Sequence, residues 1–365
     1  MLTGTYPPRH GVRDNGNYMV PEKLTTLAEL FRAGGYRTGA FVGAAVLDRK
    51  TGIGQGFEHF SGRFEIGDIT KLASFGDVQR RGNHVVDDAL EWLESVGNEQ
   101  FFAWVHLFDP HNPYDPPSPY RERYPARPYL GEIAFSDAQL MRLTRWLLDT
   151  GRLENTMIVF AGDHGEAFGE HGEHGHGFFL YQETLRVPLI IADPGMSEMG
   201  TRRDEPVSLV DLFSTVCERF GIEIPEQNQG RSLIPLLGGS GAWQDGPVYA
   251  ETYYPFFHYG WSPLSSMQDW RYHYVESSEV ELYDMERDPA QTEDLASSKP
   301  DTVRRLNQTH DDLVAALSRD ASQAGALPDA ETVAKLAALG YMSGSVTTAI
   351  PENRAGLASP RSRID

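Results

Sequence analysis

One cysteine, Cys217, stands in 365 residues, so no internal disulfide can form. No run of about 18 apolar residues occurs, which excludes an encoded membrane-spanning helix. Met1 is followed by Leu-Thr-Gly-Thr rather than by a basic stretch and an apolar core, so the opening does not read as a secretory leader; this says nothing of a longer parent chain. Basic residues are scarce: 32 Lys and Arg stand against 52 Asp and Glu, a net charge of −20. That field makes nucleic acid and anionic membrane surfaces poor partners. It does not exclude an anionic substrate, because a bound cation inverts the local field. Gly-x-Ser-x-Gly and Gly-x-x-x-x-Gly-Lys-Ser/Thr are both absent, and no internal repeat is visible.

What is present is a 40% hydrophobic, 11% aromatic chain, enough for one large α/β core with an appendage. Helical spacing in PEKLTTLAELFRAGGY ends on Gly34-Gly35, and the apolar run RTGAFVGAAVL follows as a strand. HVVDDALEWLESVG, FFAWVHLF, EIAFSDAQLMRLTRWLLDTG and TMIVFAG continue the alternation of helix and strand. Such alternation predicts a mostly parallel sheet covered on both faces, with ligands bound beyond the carboxyl ends of its strands. VPLIIAD adds a strand, and VSLVDLFSTVCERFG reads as an amphipathic helix that buries Cys217. GGSGAWQDG reads as a linker. Beyond it, VYAETYY, DWRYHYVES and VELYDMERDP predict a small antiparallel sheet, followed by a helix that starts at Pro300-Asp301. The polar, proline-bearing end predicts a disordered tail.

Two His-rich loops fall at predicted strand ends. In FAGDHGEAFGEHGEHGHGFF, Asp163 and His164 offer a carboxylate and an imidazole in one turn, good ligands for a divalent cation. The glycines let the chain return, so His176 is the next candidate, while His171 and His174 are expected on the loop surface. In HLFDPHNPY, His106 reads as a core histidine with a hydrogen-bond partner, and Asp109 and His111 lie past the strand end on a proline-stiffened loop. The opening MLTGTYPPRHGVRDNGN is dense in turn residues. Its Arg13 and Asn15 could donate to an anionic oxygen, although Asp14-Asn15-Gly16 is equally a good turn. Tyr253, Tyr254, Phe256, Phe257 and Trp261 could line a substrate pocket or pack one domain on another.

In order, LTGTYPPRHGV, FFAWVHLFDPHNPY, VFAGDHGEAFGEHG, HGFFLYQETLRVPLII, VSLVDLFSTV, GRSLIPLL and ELYDMERDPAQTEDLA resemble blocks of the sulfatase family, within the alkaline-phosphatase superfamily, over roughly residues 1–345. The resemblance implies an alkaline-phosphatase-like α/β fold: a mostly parallel central sheet flanked by helices, with a small C-terminal antiparallel sheet plus helix. It divides the chain into a catalytic domain at 1–240, a small α+β subdomain at 246–345 and a tail at 346–365. In the family, a first strand, a metal-binding carboxylate and the nucleophile precede the LTG block. The resemblance therefore places them before Met1, with no nucleophile in this chain; Cys217 lies in a late helix.

Formylglycine sulfatases carry Gly-Lys-x-His after the first helix, where this sequence has Ala44 and Val46 at the Lys and His places. The opening is similar instead to nucleotide pyrophosphatase/phosphodiesterases, in which an Asn after His-Gly contacts the phosphoryl group, a role that falls on Asn15. That likeness implies one or two divalent ions (Zn, Ca or Mn), the first held by Asp163 and His164, the second by Asp109 or His111 with His176. The spacing here is Asp-x-His rather than the wider one of those relatives. It further implies His111 or His176 as the acid for the leaving oxygen and Asn15 at the substrate, where the residues themselves also offer Arg13 and Trp261. The function implied is metal-dependent hydrolysis of small-molecule or glycan sulfate or phosphate esters, the chain as given being an inactive fragment. The alternative is a non-catalytic metal- or partner-binding pseudoenzyme of the same fold.

Overall fold

The structure is a computed structural model that describes residues 1–15, 18–62, 79–196, 200–239, 241–321, 354 and 356–364. After a short turn of helix, α1 (Pro7–His10), comes α2 (Leu27–Ala33). Thr26 and Glu29 cap α2 reciprocally: the Glu29 N–H donates to Thr26 Oγ1, and the Thr26 N–H donates to Glu29 Oε2 at 2.8 Å. Strand β1 (Arg37–Val42) is the middle of a parallel trio, flanked by β2 (His59–Ser61) and β3 (Phe101–His106).

Helix α3 (Gly82–Val96) covers this trio, burying Val85, Val86, Ala89, Trp92, Leu93 and Val96 at helical spacing against Phe41. A Cβ on Gly39 of β1 would stand 3.0 Å from the Trp92 ring, so this glycine admits the indole to the sheet. Burial of one such side chain stabilises by about 1.5–3 kcal/mol.

The surface helix α4 (Tyr120–Arg123) precedes the long α5 (Pro128–Asp149). Strand β4 (Ile158–Ala161) leads into a loop holding the two-residue ladder β5 (Ala167–Phe168) and β6 (His174–Gly175), the turn α6 (Gln182–Leu185), and then β7 (Leu189–Ala192). Where one mostly parallel sheet was expected, β4 and β7 form a separate two-stranded antiparallel sheet, with Ala161 opposite Leu189. The reason is local. The Gly162 N–H donates to the Pro188 carbonyl at 3.0 Å, so the connection closes on itself at one sheet end instead of crossing over. All of residues 163–187 therefore hang beyond the carboxyl end of β4. Helix α7 (Asp211–Arg219) buries Cys217 with Phe31, Phe213 and Val216, and burial pushes the thiol up to about 11.

The small sheet has the order β11-β10-β9-β8, from β8 (Val248–Thr252), β9 (Leu264–Gln268), β10 (Tyr272–Glu276) and β11 (Val280–Asp284), all antiparallel. Helix α8 (Tyr254–Tyr259) lies between β8 and β9. One face carries Met267, Tyr274 and Leu282 against Leu306 of α9 (Pro300–Leu317). The other carries Leu264, Val275 and Tyr283 against Phe179, Leu180 and Tyr181, which continue the histidine loop. The period-2 pattern of the strands thus divides the sheet between the helix and the loop.

Of the expected disordered tail at 346–365, residues 354 and 356–364 are described and are seated on the small sheet, the rest lying outside the described residues. The Ser262 N–H donates to the Ala358 carbonyl, Arg361 pairs with Asp294 and Glu281, and Ser359 and Pro360 are buried. Acidic side chains on the small sheet give the tail arginines partners that composition alone does not reveal. No helix among the described residues is long and apolar enough to cross a membrane.

Candidate functional site

The loop after β3 is built from α5. Glu132, buried in that helix, accepts the N–H of His111 at 3.2 Å and of Asp115 at 2.8 Å. One turn on, Ser136 Oγ donates to the Asp109 carbonyl at 2.8 Å. Burial pushes Glu132 up to about 7. Asp109, expected as a ligand, is engaged at its own side of the loop. Its Oδ2 accepts the Gly82 N–H at 2.8 Å at the start of α3, and burial raises its pKa. Its observed work is to tie α3 to the loop.

His111 lies on Phe108, ring centroids 4.1 Å apart, with Nδ1 2.7 Å from the Asn112 carbonyl. A carbonyl only accepts, so in the neutral ring Nδ1 carries the proton and Nε2 presents a lone pair. His164 repeats the device, its Nδ1 2.9 Å from the Gly165 carbonyl. That carbonyl is held in turn because the Gly165 N–H donates to Thr184 O at 2.8 Å, and a Cβ on Gly165 would meet the Glu183 carbonyl at 2.0 Å. The ring of His176 stands 3.8 Å from that of His164 and 5.2 Å from that of His111; His111 and His164 are 6.3 Å apart. Three predicted histidines, from two loops, therefore share one place beyond the sheet.

Glu166 stands behind them, with Oε2 3.4 Å from His176 Nδ1. Burial raises its pKa, but the bond to His176 and the three surrounding imidazoles outweigh this and hold it below its ordinary value. Asp163 is exposed; its Oδ1 accepts the His164 N–H at 3.0 Å, and its Oδ2 lies 4.0 Å from His106 Nε2. His106 is thus not a satisfied core histidine: its Nδ1 is buried without a partner, and burial lowers its pKa.

The remaining candidates sit around this cluster. Arg13 is paired with buried Glu251 at 3.4 Å and lies over the Tyr253 ring at 4.6 Å, so its guanidinium is neutralised away from the histidines. Asn15 is exposed, and its N–H donates to Asp14 Oδ1, while Asp14 Oδ2 stands 3.8 Å from His258 of α8. Trp261 stacks on Tyr259 at 4.7 Å and reaches Phe178 at 6.1 Å, forming an aromatic wall two residues past His176. His171, expected at the surface, instead bridges Glu183 at 2.6 Å and the Gln291 carbonyl at 3.0 Å while stacked on Tyr181. His174 is exposed as expected.

The donor set suits a divalent cation: two imidazoles with Nδ1 tied to carbonyls, a neighbouring carboxylate on Asp163 and a second on Glu166. Glu166 and Glu132 were missed in the sequence, although each left a signal. Glu166 is a third carboxylate or imidazole within four residues of Asp163. Glu132, Ser136 and Gln139 are polar residues at helical spacing on the buried face of α5.

Comparison with known proteins bears on this site. The family model described as Sulfatase matches residues 1–222, and that of the N-sulphoglucosamine sulphohydrolase C-terminal region matches residues 169–318. N-acetylglucosamine-6-O-sulfatase of Bacteroides thetaiotaomicron is 33% identical over 180 residues, 46% of this chain. The aligned stretch spans 31% of that relative's length, about a third, as in the other first curated relatives. The phosphonate monoester hydrolase of Agrobacterium radiobacter superposes with a TM-score of 0.70 at 23% identity, covering 87% of this chain and 85% of that one. A protein solved with its substrate D-glucosamine-2-N,6-O-disulfate superposes at 0.69 with 18% identity, covering 86% of each chain. These superpositions show a shared fold.

Proposed function

The chain belongs to the sulfatase family, and we propose that its histidine cleft serves metal-dependent hydrolysis of sulfuric or phosphoric esters, a glycan sulfate foremost. The observation that carries this reading is the meeting of His111, His164 and His176 beyond the sheet, beside Asp163 and Glu166. Sulfated glucosamines in the relative and the structural neighbour favour a sulfated sugar; the phosphonate monoester hydrolase keeps phosphorus esters within the class.

Asp163 and His164 would hold a divalent ion (Zn, Ca or Mn), with the ring of His176 nearest to His164 and that of His111 further off. Such an ion supplies charge for the equatorial oxygens of an in-line displacement. His176 is the residue best placed to give the leaving oxygen its proton, and Glu166 provides the counter-charge when His176 carries it. Asn15 is exposed and available to an anionic oxygen, and Trp261 offers a stacking face for a sugar ring. Attack on sulfur or phosphorus is assigned to none of these residues.

The test is turnover of p-nitrophenyl sulfate, bis-p-nitrophenyl phosphate and a 6-sulfated glucosamine, after chelation and after reloading with Zn²⁺, Ca²⁺ or Mn²⁺. The reading expects any release to be ion-dependent and to be abolished by both Asp163→Ala and His164→Ala. Turnover unaffected by either substitution would overturn it. Ion binding without any turnover would favour a non-catalytic binding protein.

A further inference from the structure

A second group of ligand-type side chains lies on the opposite face of the small sheet from the histidine loop. His310, in the middle of α9, is 2% exposed. Its Nε2 stands 3.0 Å from Ser265 Oγ on β9. Its Nδ1 is buried without a hydrogen-bond partner and faces Glu276 Oε2 at 3.6 Å, at the end of β10, and Asp311 Oδ1 at 3.8 Å. Both separations exceed a hydrogen bond. One donor atom from each of the three residues lies within 4.8 Å of the others.

We propose that Glu276, His310 and Asp311 form a structural binding site for a borderline divalent cation of the Zn²⁺ class, clamping α9 to the small sheet. Two ligands about 2.1 Å from a tetrahedral ion stand roughly 3.4 Å apart, close to the spacings seen here. The mixed nitrogen and oxygen donors suit that ion rather than Ca²⁺ or Mg²⁺, which take oxygen alone. With Ser265 Oγ accepting from Nε2–H, the lone pair would lie on Nδ1, the arrangement in which a ligating imidazole is oriented by its other nitrogen.

Arg354 supports both neighbours, donating to Ser265 Oγ at 3.0 Å and to Glu276 Oε2 at 3.2 Å. A carboxylate oxygen has two lone pairs, so Arg354 and an ion can share Glu276. The rings of Tyr249 and Tyr274, 6.2 Å and 5.6 Å from His310, pack beside its imidazole.

The experiment is calorimetric titration of the chelator-stripped chain with Zn²⁺, together with the visible absorption of the Co²⁺-loaded protein. Asp163→Ala combined with His164→Ala serves as the background, which removes the first site. One equivalent should remain in that background, with a tetrahedral Co²⁺ spectrum. Adding Asp311→Asn and Glu276→Gln should weaken binding by about tenfold or more, the usual loss for a damaged metal shell. Asp311 is exposed, so Asp311→Asn alone preserves folding and should weaken binding in the same direction. No equivalent in the background variant, or one that both variants retain, would overturn the proposal.

Discussion

The two loops that deliver the histidines are held in different ways. The loop carrying His111 is fixed from outside: Glu132 and Ser136, one turn apart on α5, answer two N–H groups and a carbonyl. The loop carrying His164 and His176 is fixed at the site itself from within, by backbone packed on backbone at Gly165 and by Glu166 among the imidazoles, and beyond it by His171 on the Gln291 carbonyl. The first device tolerates change by degrees, since each hydrogen bond can be weakened separately. The second has no slack, because a close backbone approach is either possible or not.

Substitutions should separate the two in that order. Gly165→Ala should have the largest effect. Its methyl would meet the Glu183 carbonyl at 2.0 Å, so the loop must move, and both ion binding and turnover should be lost with most of the fold retained, as read by titration and circular dichroism. His176→Ala should lower kcat by about 10²–10⁴-fold while leaving the melting temperature near that of the parent, the loss typical of a proton-transfer group. Glu132→Ala strands two N–H donors and should cost about 1–3 kcal/mol in denaturant unfolding, with partial loss of turnover.

The pH dependence sharpens the contrast. The unfolded chain releases the Glu132 proton near 4.5, but the folded chain only near 7. Between these values the folded state holds the extra proton, so the contribution of Glu132 to stability falls as pH rises. Glu173, also pushed up to about 7 by burial, acts in the same direction. Melting temperatures measured from pH 4.5 to pH 7 should therefore decline less steeply in Glu132→Gln than in the parent. An unchanged slope would remove Glu132 from the account. The smallest effect on turnover is expected for Arg13→Gln. Glu251 would lose its cation, so stability should fall while KM stays constant. A raised KM at unchanged stability would return Arg13 to the substrate.

The contrast also explains how much of the molecule could be read in advance. The helices over Leu27–Ala33 and Gly82–Val96 and the strands β1, β3, β4, β7, β8, β10 and β11 follow from apolar periodicity, which is a local property, whereas the short β2 and the polar β9 do not. The meeting of Asp163, His164, His176 and His111 was legible because these residues occupy strand-end loops, and strand ends gather at one edge. The antiparallel return of β7 shows only in its ladder with β4, closed by the Gly162 N–H on the Pro188 carbonyl, which no periodicity records. The pairing of Arg13 with Glu251 and of His171 with Gln291 joins residues more than 100 positions apart. A charge or an imidazole in a loop looks free until its distant partner is known. The seated tail is the same case, its arginines finding carboxylates on the small sheet.

The central claim is that Asp163 and His164 hold a divalent ion inside the histidine cleft. Anomalous-scattering data from crystals loaded with Mn²⁺ or Zn²⁺ test it most directly. The account predicts a peak within about 2.0–2.3 Å of an Asp163 oxygen and His164 Nε2, the range of metal–ligand bonds. A fully loaded crystal with no peak in the cleft would contradict it.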